Sequence, residues 1–122
     1  MPVIPPTVLE KLYVKGSLRS EDGGFAFDLK NLIAPATITK MDSLDVDGEP
    51  IEGSLVSVLP PSGNSRPMDK ISSERPLHFP VGVVVTLHVS GEPLDRGEHR
   101  LSLNLNVKEI GSLHIPISDT VV

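Results

Sequence analysis

The sequence predicts an all-β fold: a single antiparallel β-sandwich, immunoglobulin-like, of about seven to eight strands. Three observations lead there. Apolar residues recur at every second position in several short runs, the period of a half-buried strand, and no 3.6-residue period is sustained. Turn-forming residues separate these runs at short intervals. The length of 122 residues suits one domain, which at this size buries roughly two-thirds of the surface its unfolded chain exposes.

Taken in order, residues 1–8 include Pro2, Pro5 and Pro6 and read as an extended arm, followed by one domain over 9–122. From Leu12, the residues Leu12, Val14, Gly16 and Leu18 alternate with Tyr13, Lys15, Ser17 and Arg19, which predicts a strand. Glu21-Asp22-Gly23-Gly24 is a turn, and Phe25, Phe27 and Leu29 form the inner face of the returning strand. A turn around Ala34-Pro35 leads to a less regular strand over Thr37–Val46. Asp47-Gly48 is the strongest short hairpin signal in the chain, with Ile51–Leu59 as its return strand.

Pro60–Pro80 differs in kind. Five prolines, at 60, 61, 67, 76 and 80, exclude a central strand and predict a long loop, with room for one helical turn at Met68–Ser73. Val83, Val85, Leu87 and Val89 then alternate with polar or smaller residues, and Gly91–Gly97 is a turn. Leu101, Leu103, Leu105 and Val107 give the cleanest strand, and Leu113, Ile115 and Ile117 the last. His99 follows the Gly91–Gly97 turn at the start of a core strand. Many immunoglobulin-like sandwiches place a tyrosine there to tie the strand back to the preceding loop, and a ring nitrogen can make the same bond.

Composition narrows function mainly by exclusion. The net charge of −5 and the scattered Lys and Arg argue against a phosphate-backbone partner, so no nucleic-acid binding is expected. No apolar run approaches the roughly 18–20 residues of a membrane helix. The N-terminus lacks the basic and apolar regions of a signal peptide, and there is no cysteine; together these predict a cytoplasmic protein. With one Tyr, three Phe and no Trp, little is available for a sugar-stacking platform.

No self-sufficient catalytic or cofactor motif is visible, and neither catalytic residues nor a bound cofactor or metal is expected. His78, His88, His99 and His114 show no close ligand spacing. The acids from Asp42 to Glu52 resemble a calcium loop, but Ser43 and Ser54 stand where an EF-hand needs an acid and a terminal Glu. Nucleophile-elbow, phosphate-loop and dinucleotide motifs are absent. The strongest functional candidate is the Pro60–Pro80 loop, whose Arg66, Met68, Arg75, His78 and Phe79 are residue types enriched in interface cores.

The order of Gly16-Ser17-Leu18-Arg19, Gly24-Phe25-Ala26-Phe27-Asp28, Val46-Asp47-Gly48-Glu49, Pro93-Leu94 and Gly97-Glu98-His99 is similar to that in the small β subunits of bacterial C-glycoside-cleaving enzymes and related small sandwich proteins. The resemblance spans Leu12–Ile117 and departs at the short arm and at Ile115-Pro116-Ile117-Ser118-Asp119. It implies a β-sandwich packed against a larger barrel-type subunit that carries the metal and the catalytic residues. The opening of the chain is also similar to that of short chains carrying a hydroxymethylglutaryl-CoA reductase label, although this sequence has no nucleotide fingerprint to support that chemistry. Two readings follow: an accessory subunit of a sugar-active enzyme, or a free-standing, self-associating β-module.

Overall fold

A computed structural model describes residues 5–61 and 63–122. Its strands are β1 (Arg19–Glu21), β2 (Gly24–Lys30), β3 (Ala36–Val46), β4 (Glu49–Ile51), β5 (Val56–Leu59), β6 (Arg66–Pro67), β7 (Leu77–Phe79), β8 (Val84–Ser90), β9 (Gly97–Val107) and β10 (Gly111–Val121). They form two antiparallel sheets, one in the order β1-β2-β8-β5-β6 and the other β10-β9-β3-β4, with β7 also pairing to β3. The runs β1-β2-β8-β5 and β10-β9-β3 match strands A-B-E-D and G-F-C of the immunoglobulin constant-type sandwich. In that scheme β9 is strand F, and the segment between β8 and β9 is the E–F corner.

Alternation along the strands builds the core. Phe25, Phe27 and Leu29 on β2 face inward with Val85, Leu87 and Val89 on β8, and they meet Leu101, Leu103, Leu105 and Val107 on β9. Phe27, Leu87 and Leu103 are fully buried, each stabilising the fold by about 1.5–3 kcal/mol relative to exposure. The uneven period of β3 comes from two register shifts against β9, between Ile38 and Lys40 and between Met41 and Ser43, each of which resets the facing parity. Gly24 allows β2 to approach β8: a Cβ built there, at φ +152°, would lie 1.8 Å from the Val89 carbonyl oxygen.

Four local expectations are corrected. Residues 1–4 of the extended arm lie outside the described residues, and Pro6–Leu9 is a single α-turn rather than extended chain, with the Val8 and Leu9 amides bonded to the Pro5 carbonyl. Of Leu12–Arg19, only Arg19 lies in a strand, as the first residue of β1. Glu10–Leu12 is a 3-10 turn, Tyr13 makes one bridge to Leu29, and Gly16 turns the chain at φ +86°. These turns break the alternation, and Leu12 and Tyr13, neighbours in sequence, are both buried. The Ile51–Leu59 run divides: β4 returns beside β3, then a 3-10 turn at Gly53–Leu55 carries the chain to β5 in the other sheet. The 60–80 segment is not one open loop. It contains β6, a 3-10 turn at Met68–Lys70 and β7, held down by the burial of Met68, Ile71, Leu77 and Phe79. These additions bring the strand total above seven or eight, and the extra strands are two or three residues long.

Among the described residues, no helix is long and apolar enough to cross a membrane.

Candidate functional site

The 60–80 segment distributes its five expected contact residues unevenly. Met68 and Phe79 are core side chains, 2% and 6% exposed, so neither is presented to a partner. The physical reason is apolar anchoring: with Ile71 and Leu77 they tie the segment to the sandwich. Arg66 is half-buried and closes the segment on itself, donating from its two terminal nitrogens to the carbonyls of Arg75 and Pro76 at 2.7 Å each. Arg75 and His78 are exposed.

His99 stands on β9 at the E–F corner. Its Nε2 lies 2.7 Å from the Asp95 carbonyl oxygen, four residues upstream, and its Nδ1 lies 2.6 Å from Asp47 Oδ2. Asp47 belongs to the β3–β4 hairpin, whose turn residues Asp47 and Gly48 take φ 51° and 85°. Its other oxygen accepts from the Arg100 amide at 2.9 Å. Both neighbours of the ring are acceptors, so only the imidazolium, with two N–H donors, satisfies both. The Asp47 bond foremost, then the Asp95 carbonyl, raises the His99 pKa above its ordinary value. The Arg100 amide foremost, then His99, lowers that of Asp47.

A second polar centre joins the ends of the chain and has no precedent in the sequence reading. Asp119 on β10, 9% exposed, accepts from the Tyr13 hydroxyl at 2.5 Å, the Gly16 amide at 2.6 Å and the Thr120 amide at 2.8 Å. The Tyr13 oxygen in turn accepts from the Leu18 amide at 2.9 Å. Burial pushes the Asp119 pKa up, but these bonds and nearby Lys15 outweigh it and the net shift is downward. Burial, then the bond to Asp119, pushes the Tyr13 hydroxyl up to about 12. The residues are 106 positions apart; the only local signal was the lone buried-type acid in the otherwise alternating end of β10.

Among the described residues no three His, Cys, Asp or Glu side chains converge as metal ligands. Five exposed apolar residues lie on segments whose backbones pair at one end of the β1-β2-β8-β5-β6 sheet: Leu32, 55% exposed, Val81, 52%, and Ile33, Leu59 and Val84. Pairing explains the grouping. The Gly82 amide donates to the Asn31 carbonyl and the Asn31 amide to the Val83 carbonyl, while Leu59 pairs with Thr86 and Val84 with Lys30.

The family model for the hydroxymethylglutaryl-CoA reductase N-terminal domain matches residues 8–122. No curated protein matches. Among solved structures, a family 123 glycoside hydrolase from Clostridium perfringens aligns over 80% of this chain and 20% of its own, with 14% identity and a TM-score of 0.35. This chain therefore spans about one-fifth of that hydrolase, and a likeness this distant carries no functional argument.

Proposed function

The chain belongs to the hydroxymethylglutaryl-CoA reductase N-terminal domain family, and from that premise we propose that it is a non-catalytic interaction module that docks on a larger catalytic chain. The carrying observation is that Leu32, Ile33, Leu59, Val81 and Val84 are exposed on segments whose backbones pair at one end of the sandwich. Singly scattered apolar residues need no explanation, whereas a grouped set marks an interaction surface. The family description names an N-terminal domain of a reductase rather than a whole enzyme. The motif order similar to C-glycoside-cleaving β subunits supports a barrel-type, sugar-active partner. Arg75 and His78, both exposed, are rim contacts in this reading.

The test is purification of the tagged chain at native expression level, followed by light scattering and mass spectrometry. The expected result is a stoichiometric complex with a larger enzyme chain, lost in the Leu32→Asp/Val84→Asp variant. A chain that emerges alone, or a complex indifferent to that variant, overturns the proposal. A symmetric complex of this chain with itself supports the self-associating alternative instead.

A further inference from the structure

A cavity of about 110 Å³ lies between the two sheets. Leu29 of β2 lines it from one sheet, and Ile38, Leu105, Val107 and Ile115 from the other; all five are buried. Ile33, Ala34, Pro35, Ile110 and Leu113 are more exposed and frame its mouth. Only two lining residues carry polar side chains, Asn31 and Glu109, and both are already occupied. The Asn31 amide nitrogen donates to the Phe79 and Ala34 carbonyls at 2.6 and 2.7 Å, and its oxygen accepts from the Ile33 amide at 3.0 Å. The Glu109 oxygens accept from the Thr37 amide and hydroxyl, each at 2.9 Å.

We propose that this cavity is a binding site for a small uncharged apolar group, an unsubstituted ring or the branched end of an alkyl chain. The buried walls are hydrocarbon apart from the engaged Asn31, and only the exposed Glu109 carboxylate keeps acceptor capacity, so a water or polar ligand entering it forfeits most of its bonds, whereas an apolar group forfeits nothing and gains dispersion contacts. The size agrees: an apolar cavity of about 150 Å³ stays dry and takes up benzene or xenon, and the open mouth here gives the smaller volume room for a ring's edge. Asn31 acts as the frame, holding the 31–34 turn to β7 so that the mouth stays open. The site shares Ile33 with the proposed docking surface but is a property of the isolated chain and is tested on it alone.

Benzene is the probe. Titration to its solubility limit, read from methyl carbon–proton correlation spectra, is expected to give saturable shifts confined to Leu29, Ile38, Leu105, Val107 and Ile115. Cyclohexane competes for the same methyls. Ala36→Leu fills the cavity from the inner face of β3, two residues before Ile38, and weakens benzene binding at least tenfold; Ala34→Leu at the mouth is the second filling variant. Shifts that fail to saturate, that extend equally to Leu55 and Val122, or that persist with unchanged affinity in a folded filling variant overturn the proposal. If neither variant folds, the wild-type methyl map alone decides between these outcomes.

Discussion

Replacing Asp119 by alanine removes the acceptor that fastens the N-terminal segment to the last strand. Two long-range bonds to an ionised group are lost, from the Tyr13 hydroxyl and the Gly16 amide. Hydrogen bonds to charged groups contribute about 1.5–3 kcal/mol each, so the loss is about 3 kcal/mol at the lower bound. The Lys15 contact at 3.8 Å adds little because that side chain is 78% exposed. At about 4 °C per kcal/mol for a domain of this size, the melting temperature falls by about 12 °C. Tyr13→Phe keeps the ring, which packs 6.5 Å from Phe27, and removes only the hydroxyl. Urea denaturation at pH 7, followed by far-ultraviolet circular dichroism, gives the double-mutant cycle, with an expected coupling of at least about 1 kcal/mol. An Asp119→Ala loss below about 1 kcal/mol, or strict additivity with Tyr13→Phe, refutes the reasoning. The pH dependence has a fixed sign. The folded Asp119 pKa is lowered, so its stabilisation is present above the unfolded value of about 3.9 and is lost as pH falls through the folded value. Asp119→Asn lacks that part of the acid limb.

The other predictions probe separate parts of the molecule. The His99 pKa is raised on folding, so its contribution is complete below about pH 6.5 and lost as pH rises through the folded value; melting curves from pH 6 to 9 are expected to fall in the wild type and stay flatter in His99→Gln. Gly24→Ala brings a Cβ within 1.8 Å of the Val89 carbonyl and is expected to abolish soluble expression, whereas Gly111→Ala meets nothing within 4 Å and costs only its positive-φ strain, about 1–2 kcal/mol; equal yields of the two variants contradict this. Met68→Ala removes a core side chain and is expected to cost about 2–5 kcal/mol in urea denaturation, while Arg75→Ala, fully on the surface, stays within about 0.5 kcal/mol.

The parts of this fold legible in the sequence are those fixed by local alternation and turn chemistry. β2, β8 and β9 show four-square apolar parity, and Asp47-Gly48 with its two positive φ angles is a hairpin that residue preference alone identifies. What was not legible depends on partners remote in sequence. Tyr13 alternates like an outward residue, yet it is buried because Asp119, at the far end of the chain, supplies an acceptor for its hydroxyl. The bulges in β3 disguise its parity because an inserted residue resets the facing direction. In 60–80 the prolines exclude a central strand, but Met68, Ile71, Leu77 and Phe79 are spaced without a period, and only the tertiary fold shows that they are anchors. The site fared similarly. The position of His99 after a turn pointed to the corner, but its contact with Asp47 joins residues 52 apart. The exposed apolar end is assembled from three separate segments that no single window reveals.

The most direct measurement of the central proposal is the mass and composition of the native-level complex, compared between the wild type and Leu32→Asp/Val84→Asp. The account predicts that the wild-type chain of 13.1 kDa elutes with a larger catalytic chain at fixed stoichiometry, and that the variant, folded by circular dichroism, elutes alone. A wild-type chain that elutes alone at its own mass, or a complex that the variant leaves intact, contradicts it.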